Sequence, residues 1–389
     1  MGYCFDENAP RRGTACYKWD ELGKIFGNPE ALPFWVADTD YPTAPEVVSA
    51  LREAVGRAAF GYTYPDDGYL ESVCGWVSSR HGWNIEKEWI VPSTGVVSGL
   101  SNIIRCFTEP GDGIVVQSPV YDPFYHTVER SGRRLIKNWL KGDNVSGYTM
   151  DFDDLERCLS GAKMMVLCSP HNPVGRVWTE RELAKVAELC TRSGVMLVSD
   201  EIHWDILIDG AKHVSLGAAA KQGNIAVLTA PSKTFNLAGL QTSNIIIPDA
   251  AMRETYKDWL EERFIEGPNL LGMTACRAAY ENGAAWCDEQ NAYLTGSARL
   301  VEKYFGERFP QVTIARLEGT YLMWMDMRAF GLTSRELCEK FAGAGAALND
   351  GFRYGGEPYD GYVRLNIACP RPQLEKGLEI IGSALGDRE

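Results

Sequence analysis

No part of this sequence stays apolar for long. Runs such as Met164 to Cys168 and Ile245 to Ile247 end after a few residues, far short of the roughly 20 that a membrane-spanning helix needs. The opening MGYCFDENAPRRG holds no apolar stretch of the kind a secretory signal uses, and Asp6 stands where a myristoylation signal has Ser or Thr. Basic clusters are missing too: none is longer than Arg133-Arg134, and 39 Lys and Arg against 52 Asp and Glu leave a formal net charge of −13. Such a surface repels phosphate backbones and anionic membranes, so neither nucleic acid nor membrane is expected as a partner. The five histidines, His81, His126, His171, His203 and His213, show no HxxxH or HExxH spacing, and the 11 cysteines contain no CxxC pair. These absences argue against a metal site and against a disulfide framework. Scattered thiols suit a reducing, cytoplasmic setting. Repeats, low-complexity tracts and a linker dividing the chain are also lacking.

What remains is an ordinary globular composition, with 45% apolar and 23% charged residues over 389 positions, enough for a large core. From about residue 43, helix and strand signals alternate. Thr43-Ala44-Pro45-Glu46 has the form of a capping box before a helix, and Thr179-Glu180-Arg181-Glu182 has the same form before a helix reaching Ser193. Between such stretches lie short runs apolar on both faces: Gly113 to Gln117, Lys163 to Cys168, Val195 to Ser199, Ile225 to Thr229 and Ser243 to Ile247. Each reads as a central, parallel-type strand. The expected class is therefore α/β, an open, mostly parallel sheet with helices on both faces. The last hundred residues mix a long helical region, short strands and a final helix from about Pro372. The expected division is an N-terminal segment (1–45) joining a small C-terminal α+β domain (286–389), with a large domain (46–285) between them. Ala342-Gly343-Ala344-Gly345 hints at a dinucleotide loop, but it follows a helix pattern rather than a strand, which rejects it.

In open α/β sheets ligands bind beyond the carboxyl ends of the strands, so the residues following each run carry the interest. Met164 to Cys168 leads into Ser169-Pro170-His171-Asn172-Pro173-Val174-Gly175, Val195 to Ser199 into Asp200-Glu201-Ile202-His203, and Ile225 to Thr229 into Ala230-Pro231-Ser232-Lys233-Thr234. Ser93-Thr94-Gly95-Val96-Val97 runs straight into a helix pattern. An amide, an acid and a lysine at neighbouring strand ends, with a small-residue turn at a helix start, are the parts a pyridoxal 5′-phosphate (PLP) site requires. Its phosphate needs backbone N–H groups at a helix N-terminus, its aldehyde a lysine as Schiff-base partner, and its ring nitrogen a carboxylate. Singly, each residue is as well explained by a turn or a cap. Their joint placement is the signal.

The motifs SPHNPVG, SDEIH and PSKTFNLAGLQ, in this order and spacing, resemble fold-type I PLP enzymes of the class I/II aminotransferase family, and more closely the MalY/PatB-type cystathionine β-lyases. Arg11-Arg12-Gly13-Thr14, Lys18-Trp19-Asp20, Trp35-Val36-Ala37-Asp38, Gly61-Tyr62 and Val363-Arg364-Leu365-Asn366 extend the match along the chain. The resemblance implies a carbon–sulfur lyase acting on L-cystathionine, L-cysteine or related S-conjugates, and a homodimer with active sites at the subunit interface. It implies Lys233 as Schiff-base partner and proton carrier, Asp200 against the pyridine nitrogen, Asn172 donating to the ring oxygen, and Tyr121 stacked on the ring. Gly95, Val96, Val97 and Ser232 would hold the phosphate, and Tyr62 would reach the phosphate of a neighbouring subunit. Arg364 would grip the substrate carboxylate, beside Ala37 on the substrate side.

Three positions depart from the wider aminotransferase pattern. Gln241 stands where aminotransferases place an arginine on the phosphate, which favours the lyase branch. His203 replaces a tyrosine that bonds the ring oxygen, and an ordinary imidazole would titrate near neutral pH there. Thr39 and Tyr41 alter the segment lining the substrate side. Two alternatives share the residues: an aminotransferase, and an interaction or regulatory protein built on the same fold.

Overall fold

The computed structural model describes residues 2–220 and 223–386. Its centre is a seven-stranded sheet of β1 (Ile90–Ser93), β2 (Gly113–Ser118), β3 (Arg134–Trp139), β4 (Ala162–Cys168), β5 (Met196–Asp200), β6 (Ile225–Thr229) and β7 (Ser243–Ile246), in the order β1-β7-β6-β5-β4-β2-β3. Pairing is parallel throughout β6-β5-β4-β2-β3. Successive side chains on these strands feed two cores. Val115, Met165, Leu167, Leu197 and Val227 join one, while Ile114, Val116, Met164, Val166, Val198 and Leu228 join the other. The first is covered by helices that include Asp67–His81 and Glu180–Arg192, the second by Val96–Phe107 and Pro123–Arg130. Burial on both faces is why the strands read as unbroken apolar runs.

The expected parallel set is corrected at one strand. Ser243–Ile246 runs antiparallel to both neighbours. Hydropathy reports burial on two faces, not direction, and the link from Thr229 carries only a short 3₁₀ turn at Ala238–Leu240 rather than the crossover helix usual between parallel strands. The edge strands β1 and β3 are additions: β3 carries Arg134, Lys137 and Asn138, and of its residues only Asn138 is buried. The Thr43 capping box is also corrected. Helix Pro45–Gly56 starts from Ala44 with no side-chain cap, because the Thr43 hydroxyl donates to the Phe235 carbonyl at 2.6 Å instead. The Thr179 box forms in full, as does one at Thr333.

A second, antiparallel sheet of β8 (Thr313–Ile314), β9 (Leu322–Asp326), β10 (Asn349–Asp350) and β11 (Tyr362–Asn366) has the order β10-β11-β9-β8. Chain 32–33 pairs in parallel with 346–347, which ties the N-terminal segment to this part of the molecule. The Ala342–Gly345 stretch closes helix Ser334–Ala344, with Gly345 at φ 116°. It ends a helix and opens none.

Candidate active site

The carboxyl ends of β4, β5 and β6 meet the N-terminus of helix Val96–Phe107 around a cavity of about 200 Å³ lined by Ala37, Thr94, Gly95, Val96, Val97, Ser98, Tyr121, Cys168, Asn172, Asp200, Ile202, His203, Ser232, Lys233, Ala238 and Gln241. Ten of the twelve residues singled out from the sequence line it. Of the other two, Arg364 stands directly behind the lining, bonded to Asn172, and Tyr62 lies apart from it. A larger hollow of about 500 Å³, among Asp209, Lys212, Arg299 and Arg316, contains none of them.

Lys233 sits four residues past β6. The turn that carries it is held by Phe235 N–H to Pro231 O at 2.9 Å and Leu237 N–H to Ser232 O at 3.0 Å. Its Nζ donates to the Ala37 carbonyl at 2.7 Å, which also accepts from Tyr321 at 3.0 Å. Burial pulls the amine down to about 8, opposed by the charges of Asp38 and Asp200 and assisted by Arg364. Asp200 ends β5 and is buried. Burial pushes its carboxyl up to about 7, against the Ile202 N–H and the Lys233 charge. The site thus sets a weakly held ammonium across from a weakly acidic carboxyl.

Helix Val96–Phe107 has no side-chain cap at Gly95, so its first N–H groups and its dipole face the cavity as an anion cradle. Tyr121 is raised to about 12 by burial, which keeps it a neutral phenol. His203 is buried, with Nδ1 lacking any partner among the described residues. Burial, then the charges of Lys233 and Arg364, push it well below the ordinary imidazole range. The near-neutral titration expected of an ordinary histidine is therefore not what this environment gives.

Arg364 on β11 is 3% exposed. It donates to Asn172 Oδ1 at 3.1 Å and to the Trp35 carbonyl at 2.9 Å, and its Nε has no partner among the described residues. A buried guanidinium without a carboxylate among the described residues is costly and suits a ligand anion. Tyr62 is fully exposed, at 100%, beside Tyr64 and Arg277, away from the cavity of its own chain.

Sequence reasoning gave no role to the charges that hold the cavity wall. Arg11 bonds Asp38 at 2.9 Å, buried Lys18 bonds Asp40 at 2.9 Å, and Asn366 donates to the Val36 and Asp38 carbonyls at 2.6 and 2.7 Å. Asn236, at φ 55°, clasps Thr39 through both backbone groups. The alternation of Arg11 and Lys18 with Asp38 and Asp40 is the signal that could have pointed to this clamp.

The parallel-dominated sheet, the smaller antiparallel sheet and a lysine facing an acid at the strand ends together define an aminotransferase-like architecture. The family model for class I and II aminotransferases matches residues 32–381, and the chain belongs to that family. It is 42% identical over 388 residues to cystathionine beta-lyase PatB of Bacillus subtilis, covering 98% of this chain and 99% of that protein. It is 35% identical over 379 residues to protein MalY of Escherichia coli, covering 96% of each. Among solved structures, cystalysin from Treponema denticola, which contains a pyridoxal 5′-phosphate cofactor, superposes with a TM-score of 0.94 at 34% identity over 99% of both chains.

Proposed function

We propose that the protein is a cytoplasmic, PLP-dependent carbon–sulfur β-lyase that converts L-cystathionine, L-cysteine or a related S-conjugate to a thiol, pyruvate and ammonia. The observation that carries the reading is the facing pair of Lys233 and Asp200 in one cavity with an uncapped helix start. The residues fit PLP: an amine for its aldehyde, a carboxyl for its ring nitrogen, an anion cradle for its phosphate, and the buried, unpartnered His203 Nδ1 near its ring. Bound there, PLP supplies an electron sink that makes the Cα proton of an amino acid removable.

The chain's own residues do the rest. Asp200 would hold the proton of the pyridine nitrogen. Tyr121 would pack on the ring, Asn172 and His203 would attend its oxygen, and Gly95, Val96, Val97 and Ser232 would take the phosphate. Arg364 binds the substrate carboxylate beside Ala37 and so turns the Cα–H bond toward Lys233. Lys233, lowered by burial, is free to accept that proton near its operating pH. As the C–S bond breaks, the thiolate leaves with the bond pair and takes a proton from Lys233 or Tyr121. Hydrolysis of the remaining three-carbon unit gives pyruvate and ammonia.

The same reading makes the protein a homodimer in which Tyr62, exposed on its own chain, reaches the phosphate of the partner's site. It also divides the chain into the segments 1–45, 46–285 and 286–389. The test is borohydride reduction of PLP-loaded protein followed by peptide mass analysis, with pyruvate measured before reduction. A pyridoxyl group on Lys233 and pyruvate formed from L-cystathionine support the reading. Label on another lysine, or none, sinks it.

A further inference from the structure

A set of buried polar groups lies beneath the site and takes no part in the reaction above. His81, at the end of helix Asp67–His81, has Nε2 2.9 Å from Asp205 Oδ1. Its Nδ1 stands 3.3 Å from Nδ1 of His213. Asp205 also accepts from Trp76 Nε1 at 3.0 Å on the same oxygen, and from the Thr234 hydroxyl at 2.8 Å on the other. Thr234 is the residue after Lys233. All four of His81, Asp205, His213 and Thr234 are buried.

The hydrogens in this chain can be counted, since an imidazole nitrogen either donates or accepts. The far nitrogen of His213, Nε2, has no hydrogen-bond partner among the described residues: the Glu201 carboxyl, pushed up to about 7 by burial, keeps its Oε2 3.8 Å away, while the Ser169 backbone carbonyl, which can only accept, lies against the ring. With the carbonyl against the ring and the carboxyl distant, the geometry places the hydrogen on Nε2. Burial and the neighbouring His81 push His213 well below the ordinary imidazole range, so the ring is neutral and its Nδ1 is a bare acceptor. His81 must then donate from Nδ1 to His213 and from Nε2 to Asp205. A ring that donates from both nitrogens is the cation. Trp204 stacks on it at 3.8 Å and 13°, presenting the electron-rich face that a cation favours.

We propose that His81 is a buried imidazolium locked between Asp205 and His213, and that its ion pair with Asp205 positions Lys233 through the Thr234 hydroxyl. The other charged or titratable groups near His81 are Arg80 on its own helix, paired with Asp288 at 2.7 Å, the Cys287 thiol against the Asp205 carbonyl, and Glu201 behind His213. Of these, only the Glu201 carboxyl, 3.8 Å from His213 Nε2, could donate a hydrogen to that nitrogen and reverse the chain. The protonation of His81 stands apart from the lyase reading, whereas its effect on Lys233 rests on that reading.

Histidine-selective ¹⁵N NMR of the PLP-loaded protein tests the first half, with only five rings to assign. The expected result is N–H on both nitrogens of His81 and on Nε2 alone of His213 at neutral pH. A bare Nδ1 on His81 overturns it, because the chain would then run in the opposite sense with its hydrogen supplied by Glu201. Thr234→Val and Thr234→Ser test the second half. Valine is expected to lower kcat about tenfold through misplacement of the neighbouring lysine, to leave KM unchanged, and to move the pH midpoint of the cofactor's visible absorbance, with serine restoring both. A folded valine variant with kcat and midpoint unchanged overturns the positioning role. The wild-type spectrum decides the protonation even where a variant fails to fold, and failure of the lyase reading shows separately as wild-type protein without a cofactor band.

Discussion

Removing the Lys233 amine should stabilise cofactor-free protein, and the gain should vanish in alkali. Its ordinary value is 10.5 and its folded value about 8, lowered chiefly by burial. A lysine lowered on folding weighs against the folded state wherever it is charged in both states, below about pH 8. The unfolded chain binds more protons between 8 and 10.5, so stability rises with pH across that window. At roughly 1.4 kcal/mol per pH unit the burden is about 3 kcal/mol at neutral pH. Lys233→Met keeps the side-chain length without the charge, and the Ala37 carbonyl it abandons retains Tyr321 as a donor. Spread over 389 residues, at roughly 2 cal/mol/K of unfolding entropy each, 3 kcal/mol corresponds to a rise of about 4 °C in Tm. Thermal melts of PLP-stripped wild type and variant, run near neutral pH and again above 10.5, check it. A variant that melts no higher than wild type at neutral pH, or one whose advantage persists undiminished in alkali, would refute the reasoning.

The other expectations concern binding, chemistry and packing. Arg364→Lys should raise KM for the amino acid by about 10- to 100-fold with the cofactor spectrum retained, because an ammonium cannot reproduce the two-pronged grip of a guanidinium; steady-state kinetics with an unaltered KM would contradict the carboxylate role. Asp200→Asn should lower kcat by at least about 100-fold and shift the cofactor's absorbance, since an amide cannot hold the ring nitrogen protonated. Gly272→Ala should destabilise by about 1–3 kcal/mol, read by urea titration, because a methyl group there would lie 1.9 Å from Thr242 Oγ1 and 2.6 Å from the Leu240 carbonyl.

Much of the site was legible because it is written at strand ends. Lys233, Asp200 and Asn172 each follow a run whose two-faced burial marks a central strand, and proximity in the sheet brings them together. Strand direction was less legible. Ser243–Ile246 has the same apolar face on either side as its neighbours, and only the missing crossover helix in 230–242 distinguishes it. Thr43 was misread because its hydroxyl found the Phe235 carbonyl, a tertiary partner outranking the local cap. The environment of His203 could not be inferred from its residue type, since its depression comes from burial and from two cations brought in by distant segments. The same holds for the clamp of Arg11, Lys18, Asp38 and Asp40, whose partners are about 20 to 30 residues apart in sequence.

The central claim is that the cavity directs electrons out through the Cα–H bond and onto a departing sulfur. Incubation of the PLP-loaded protein with L-cystathionine alone, followed by simultaneous assay of pyruvate and free thiol, addresses it most directly. Equal amounts of both without any added oxo acid are predicted. Silence under those conditions, broken only when 2-oxoglutarate is supplied and glutamate appears, would contradict it and assign the protein to amino-group transfer.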